Sequence, residues 1–200
     1  LGVYSNSPTK ERLANHNRMK AFLKVGKSVS FPLDVPQYLS SINRTEASAA
    51  DAEAKLTLPK DQILHAQFWF IKMTPLDEVA FNHLFAGEID KAEEIWQKRE
   101  CLSALQNRIV CALIRNRYDS AIKCAEVLYG NTQYLNQFVS TIIGTGGNFD
   151  VSNLAFSFLD ILCDEIGASK LLPFIANSSW KEHIGEKAVK PLVDSIQEAI

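Results

Sequence analysis

Four cations near the start of the chain, Arg12, Arg18, Lys20 and Lys24, are the residues best placed by type and spacing to hold an anionic group. They belong to a run that carries Lys10, Arg12, Arg18, Lys20, Lys24 and Lys27 against one acid, Glu11. A helix so biased sets up a local field that draws carboxylates or phosphates, and an acidic protein partner is the expectation. The plainer alternative is a solvated face, which is what charge runs commonly are. Binding of nucleic acid or another anionic surface through residues 10–27 is a further alternative, weakened by the lack of a groove-reading motif.

Groups able to do covalent or metal chemistry are scattered. Cys101, Cys111, Cys124 and Cys163 form no Cys-x-x-Cys pair, and each sits in an apolar helical pattern, which reads as buried thiols. His16, His65, His83 and His183 have no Glu three or four residues before them and no metal-ligand spacing. The stretch Gly144-Thr145-Gly146-Gly147 lacks the lysine of a phosphate loop, and Phe149 stands where a dinucleotide loop needs its third glycine. Glu93 and Glu94 are adjacent on a helix and point apart, so they make no carboxylate pair. There is no Gly-x-Ser-x-Gly elbow, and no Cys has a nearby His to activate it. No catalytic residue, metal ligand or cofactor is assigned. An enzyme of unrecognised type stays as an alternative because short motifs do not exhaust catalytic chemistry.

Charged residues make up 22% of the chain and hydrophobic residues 46%, with a net charge of −2. That balance sets no overall bias toward nucleic acid or membrane. No apolar run is long enough for a membrane span, and unpaired cysteines suit a reducing, cytoplasmic setting. The chain opens at Leu1 and closes at Ile200 inside an apolar helical pattern, and both ends read as trimmed.

The elements that must carry these residues read as helices throughout. The stretch LFAGEIDKAEEI, from Leu84 to Ile95, returns as LIRNRYDSAIKC, from Leu113 to Cys124, after a shift of 29 residues. The shift lays Leu84 on Leu113, Gly87 on Asn116, Ile89 on Tyr118, Asp90 on Asp119 and Ala92 on Ala121. Gly and Asn enter the left-handed conformation most easily, so each copy predicts helix, tight turn, helix. A third, eroded turn falls by the same spacing at Thr145, with a second helix from Asp150. Thr74, Pro75 and Asp77 spell a capping box, and Ser179 to Glu182 spell another ahead of a last helix bent at Pro191. Near the front, Ser7-Pro8 predicts the start of the basic helix, residues 28–36 a loop, and Pro59 a helix reaching Ile71 that is apolar nearly all round.

The two copies, residues 76–129, resemble tetratricopeptide repeats, most clearly in Asn116-Arg117-Tyr118-Asp119-Ser120-Ala121-Ile122. That resemblance implies a peptide-binding array. Asn107 and Arg108, off the apolar stripe and expected at the surface, would then hold a peptide carboxylate from the concave face; ordinary exposed polar residues are the alternative. The front end resembles a degenerate J-domain, the module by which co-chaperones dock on heat-shock chaperone ATPases. The resemblance lies in Leu1-Gly2-Val3, the Ser7-Pro8 start, the basic helix and residues 52–66. It implies a chaperone as partner. The His-Pro-Asp triplet expected in the loop is replaced by Phe31-Pro32-Leu33-Asp34, so stimulation of a chaperone ATPase is not expected. The combined expectation is an all-α protein: a J-like helical region over 1–73 followed by tetratricopeptide-like hairpins over 74–200. Its expected role is non-catalytic protein or peptide binding as a chaperone-associated adaptor.

Overall fold

The computed structural model describes residues 1–145 and 149–198, with 190–196 and 198 described by backbone alone. Among the described residues eleven α-helices follow one another: α1 Thr9–Lys24, α2 Glu46–Ala54, α3 Pro59–Ala66, α4 Pro75–Phe85, α5 Ile89–Gln97, α6 Leu102–Ile114, α7 Tyr118–Tyr129, α8 Thr132–Ile143, α9 Leu154–Ile166, α10 Ala168–Leu171 and α11 Ser178–Glu198. Among the described residues there is no strand. The protein is all-α.

Helix starts follow the local chemistry. Thr74 accepts from the Asp77 amide while Asp77 Oδ2 accepts from the Thr74 amide at 2.8 Å, the reciprocal box that the spacing predicts. Pro59 and Pro75 fill first-turn positions whose N–H would go unused. Two starts differ from expectation. α1 opens at Thr9, leaving Pro8 as an uncapped flank. α11 opens at Ser178 and is capped by Asn177, whose Oδ1 accepts from the Ser179 and Trp180 amides, so Ser179 is not its cap. The backbone of α11 stays helical through position 191.

Gly87 and Asn116 both take positive φ, 82° and 55°, and end α4 and α6. Glu88 N donates to His83 O at 2.9 Å and Arg117 N to Ala112 O at 2.8 Å, and each bond is the other displaced by 29 residues. This is the six-to-one bond that closes a helix on a left-handed residue. α4 turns back onto α5, and α6 onto α7, with Ala92 and Ala121 fully buried in the returning helices. Glu93 is buried under Arg115 and Arg117, which reach it from the α6–α7 turn. After α8 the left-handed residue is Gly144 rather than Thr145, and α9 begins at Leu154 rather than Asp150. Gly146 and Gly147 lie outside the described residues. α3, from the front of the chain, packs against both α8 and α9.

The helix expected to run on to Ile71 stops at Ala66; residues 67–69 turn off its end and 70–74 run on without helix, so that 67–74 form a non-helical strap to α4. The all-round apolar pattern there reflects burial of a non-helical segment. Ile63, Ala66 and Ile71 join α6 to α11 in one core. Leu33, Val35 and Phe70 join α4 to α6 in a second, where Phe81 meets the edges of Phe70 and Trp96. Residues on both sides of position 73 therefore share both cores. Met19, Phe31 and Ala49 form a small third cluster holding α1 and α2.

Helices crossing at about 8–10 Å leave room for little beyond a methyl group at closest approach. Ala92→Leu and Ala121→Leu should each cost about 1–3 kcal/mol through overpacking. Glu94→Leu, on the exposed side of α5, should change stability by no more than about 0.5 kcal/mol. Chemical denaturation of the three variants checks this ordering.

Candidate functional site

The strap of residues 67–74 has no helix of its own and no sheet partner, yet Phe70 and Ile71 are fully buried. Its backbone groups must find partners there, because an unpaired one in a dry interior costs about 1–3 kcal/mol. Side chains supply them. Asn107 on α6 accepts from Ile71 N at 3.0 Å and donates to Ile71 O at 2.9 Å, copying the two bonds of a neighbouring strand. Asn6 does the same for Lys72. Gln106 Nε2 donates toward the carbonyls of Ala66, Gln67 and Trp69. Asp77 Oδ2 accepts from the Met73 and Thr74 amides, and its Oδ1 accepts from Trp96 Nε1 at 2.9 Å.

The strap also fixes the first residues of the chain. Ser5 N donates to Phe70 O, and Trp69 Nε1 donates to Val3 O at 3.1 Å. From there the chain enters α1, whose Asn15 donates back toward Leu1 O and Gly2 O. Gly2 has φ +65°, and a Cβ on it would fall 2.1 Å from the Phe31 ring, so no other residue fits. Over the same ring, at 5.1 Å from its centroid, lies the Arg44 guanidinium, held in a two-pronged pair with Asp34. Asp34 Oδ2 also accepts from Phe31 N at 2.8 Å. Burial resists ionisation of Asp34, but the Arg44 and Phe31 hydrogen bonds outweigh it and hold the carboxyl below its ordinary value. Val35 beside it is fully buried in the left-handed region at φ 44°, an uncommon conformation for a β-branched residue. The carboxylate of the Phe31-Pro32-Leu33-Asp34 loop is thus spent inside the protein.

Between the first residues, α1, α2 and α3 these contacts leave a cleft of about 420 Å³. Val3, Leu56, Phe68 and Trp69 give it apolar walls, and Arg12, Arg44 and Lys55 stand around it. Arg12 is half-buried; its guanidinium donates to Thr9 Oγ1 at 3.2 Å, and among the described residues no carboxylate pairs with it.

The other residues singled out in the sequence are not brought to this cleft. Arg18, Lys20 and Lys24 are exposed on α1, with Arg18 over the Phe22 ring at 5.8 Å. Arg108 is half-buried on α6. The structure corrects the expected exposure of Asn107, which is fully buried with its amide spent on Ile71. The four cysteines are free, and burial pushes the Cys111, Cys124 and Cys163 thiols up, away from nucleophilic character. No group of three or more metal-ligating side chains occurs among the described residues, and no helix is long and apolar enough to cross a membrane. Comparisons with protein-family models, with curated proteins and with solved structures give no match.

Because the Asp34 pKa is depressed in the fold, its contribution is fully present above the unfolded value, about 3.9. It is lost as pH falls through the lower folded value. Asp34→Asn should therefore cost about 1–3 kcal/mol at pH 7, leaving Arg44 without its counter-charge. The same variant should shrink the loss of stability that wild type suffers below about pH 4. Denaturation midpoints of both proteins across pH 2–7 check both statements.

Proposed function

We propose that this chain is a non-catalytic protein-binding module that docks an acidic partner through the outward face of α1. The observation that carries this reading is how little of α1 the rest of the protein covers. One side alone faces inward: Asn15 bonded to the first residues, His16 2.7 Å from Glu53 on α2, Met19 buried, and Leu23 on the small third cluster. Lys10, Leu13, Asn17, Lys20 and Lys24 recur at three- and four-residue steps and so line one open side. Ala14, Arg18, Ala21 and Val25 line another, with Phe22 beside them. Leu13, Phe22 and Val25 remain 45%, 37% and 68% exposed among these cations. Apolar side chains ringed by lysine and arginine on an open helix suit a partner that covers the apolar part and answers the charge.

A chaperone-associated role is the form of this function that the J-like front end favours, since the basic helix is the docking element of that resemblance. Under this reading docking is kept without ATPase stimulation, because the loop has no His and its Asp34 is tied to Arg44. The free cysteines fit a reducing, cytoplasmic setting. The hairpins α4–α5 and α6–α7, with matching turns 29 residues apart, fit a tetratricopeptide-like array supporting the docking unit. Binding of nucleic acid through the same helix is the second reading, resting on its exposed lysines at 10, 20 and 24 and on Lys27 just beyond it.

A photo-crosslinking residue at Asn17, in the native host, tests the proposal against one at Lys123, exposed on α7. A discrete protein adduct from position 17 alone, abolished by Lys20→Glu with Lys24→Glu, is the expected result. Nucleic-acid adducts from position 17 would favour the second reading. Equal adducts from both positions, or none from position 17, would remove the docking role of α1.

A further inference from the structure

We propose that the cleft between the first residues, α1, α2 and α3 is a binding site for a small organic anion, one with an apolar body and a single carboxylate. At about 420 Å³ the cleft falls within the roughly 300–1,000 Å³ of pockets that hold small molecules. Its walls are Val3, Leu56, Phe68 and Trp69, which offer an apolar ligand surface already held in place by the strap.

The charges around it are unequal in what they leave over. Arg44 is taken by Asp34 and by Val29 O, so that pair is internally neutral. Lys55 has an exposed partner in Asp51 at 2.8 Å, a pairing that water screens. Among the described residues Arg12 has only a hydroxyl partner, and the fork of its guanidinium is shaped for a carboxylate. An apolar wall with one uncompensated guanidinium calls for a ligand with one acid group.

The same geometry disfavours an extended peptide. Peptide backbones are held by main-chain or side-chain hydrogen-bonding groups along a groove, and here three such groups are already used. Gln62 Nε2 donates to Leu56 O, Trp69 Nε1 to Val3 O, and Ser5 N to Phe70 O. What remains is hydrophobic surface and charge, which a compact anion satisfies without backbone pairing.

Titration with decanoate below its micelle concentration, followed by calorimetry and by Trp69 fluorescence, is the test. Trp69→Phe identifies the optical signal, because Trp96 and Trp180 are buried elsewhere. The expected result is saturable one-to-one binding, weaker by about tenfold or more for decanol and for Arg12→Gln, the loss of a charge-assisted two-pronged contact. Arg12→Lys should recover part of it, with the thermal midpoint unchanged in both variants. Lys20→Glu with Lys24→Glu, which disables the outward face of α1, should bind decanoate as wild type does. Failure of that docking face therefore leaves this proposal standing, and the reverse also holds. Decanol binding as tightly as decanoate, no effect of Arg12→Gln, or an acidic apolar peptide binding at Arg12 more tightly than decanoate would each overturn it.

Discussion

Everything in this fold depends on keeping an extended stretch of backbone satisfied in a dry interior. Residues 67–74 pass between the two main cores, with Ile71 in one and Phe70 in the other. The amides of Gln67, Phe68 and Trp69 still reach back to α3 carbonyls, but beyond them neither helix nor sheet pairs the backbone. Asn107, Gln106, Asn6 and Asp77 do so instead, from α6, from the first residues and from α4. Each bond is worth only about 1 kcal/mol net, but each group left unpaired would cost more, so these side chains set position more than they add stability. Because they come from different parts of the chain, satisfying the strap fixes where those parts sit relative to one another.

That constraint reaches the surface. Trp69, whose indole donates to Val3 O, and Phe68 both line the cleft. The first residues then hold α1 through Asn15, and Gly2 makes room for Phe31, over which Arg44 and Asp34 are paired. The result is a basic helix attached along one narrow side. Its outward faces are free for a partner, and its inward Arg12 overlooks an apolar cleft. The proposed docking and ligand roles are two sides of the same helix.

What could be read beforehand was what local chemistry dictates. Gly87 and Asn116 announce left-handed turns because few other residues tolerate that backbone, and Thr74-Pro75-Leu76-Asp77 announces a helix start because its box closes within four residues. The all-α class followed from the period of the apolar residues. Asn107 misled because a polar residue off an apolar stripe ordinarily faces water. What covers it arrives from Ile71, 36 residues earlier, and no local pattern encodes that contact. The stretch from Phe68 to Ile71 misled for a related reason: a short, continuously apolar run fits a buried helix and a buried non-helical segment equally well. The run of Phe, Trp, Phe and Ile over 68–71, rich in residues that favour extended backbone, was the available signal against helix. The cleft was invisible because its lining is gathered from separate stretches between Leu1 and Trp69, and the Asp34–Arg44 pair because nothing in the intervening loop marks it.

The most direct test of the strap is native-state hydrogen exchange at the Ile71 amide, which donates to Asn107 Oδ1 at 3.0 Å. If side-chain amides hold this segment as a strand would, that amide should exchange only when the core opens. Its protection should then match that of the central amides of α6, such as Ile109 and Val110. Exchange at the rate of an unbonded surface amide, with α6 still protected, would contradict the account.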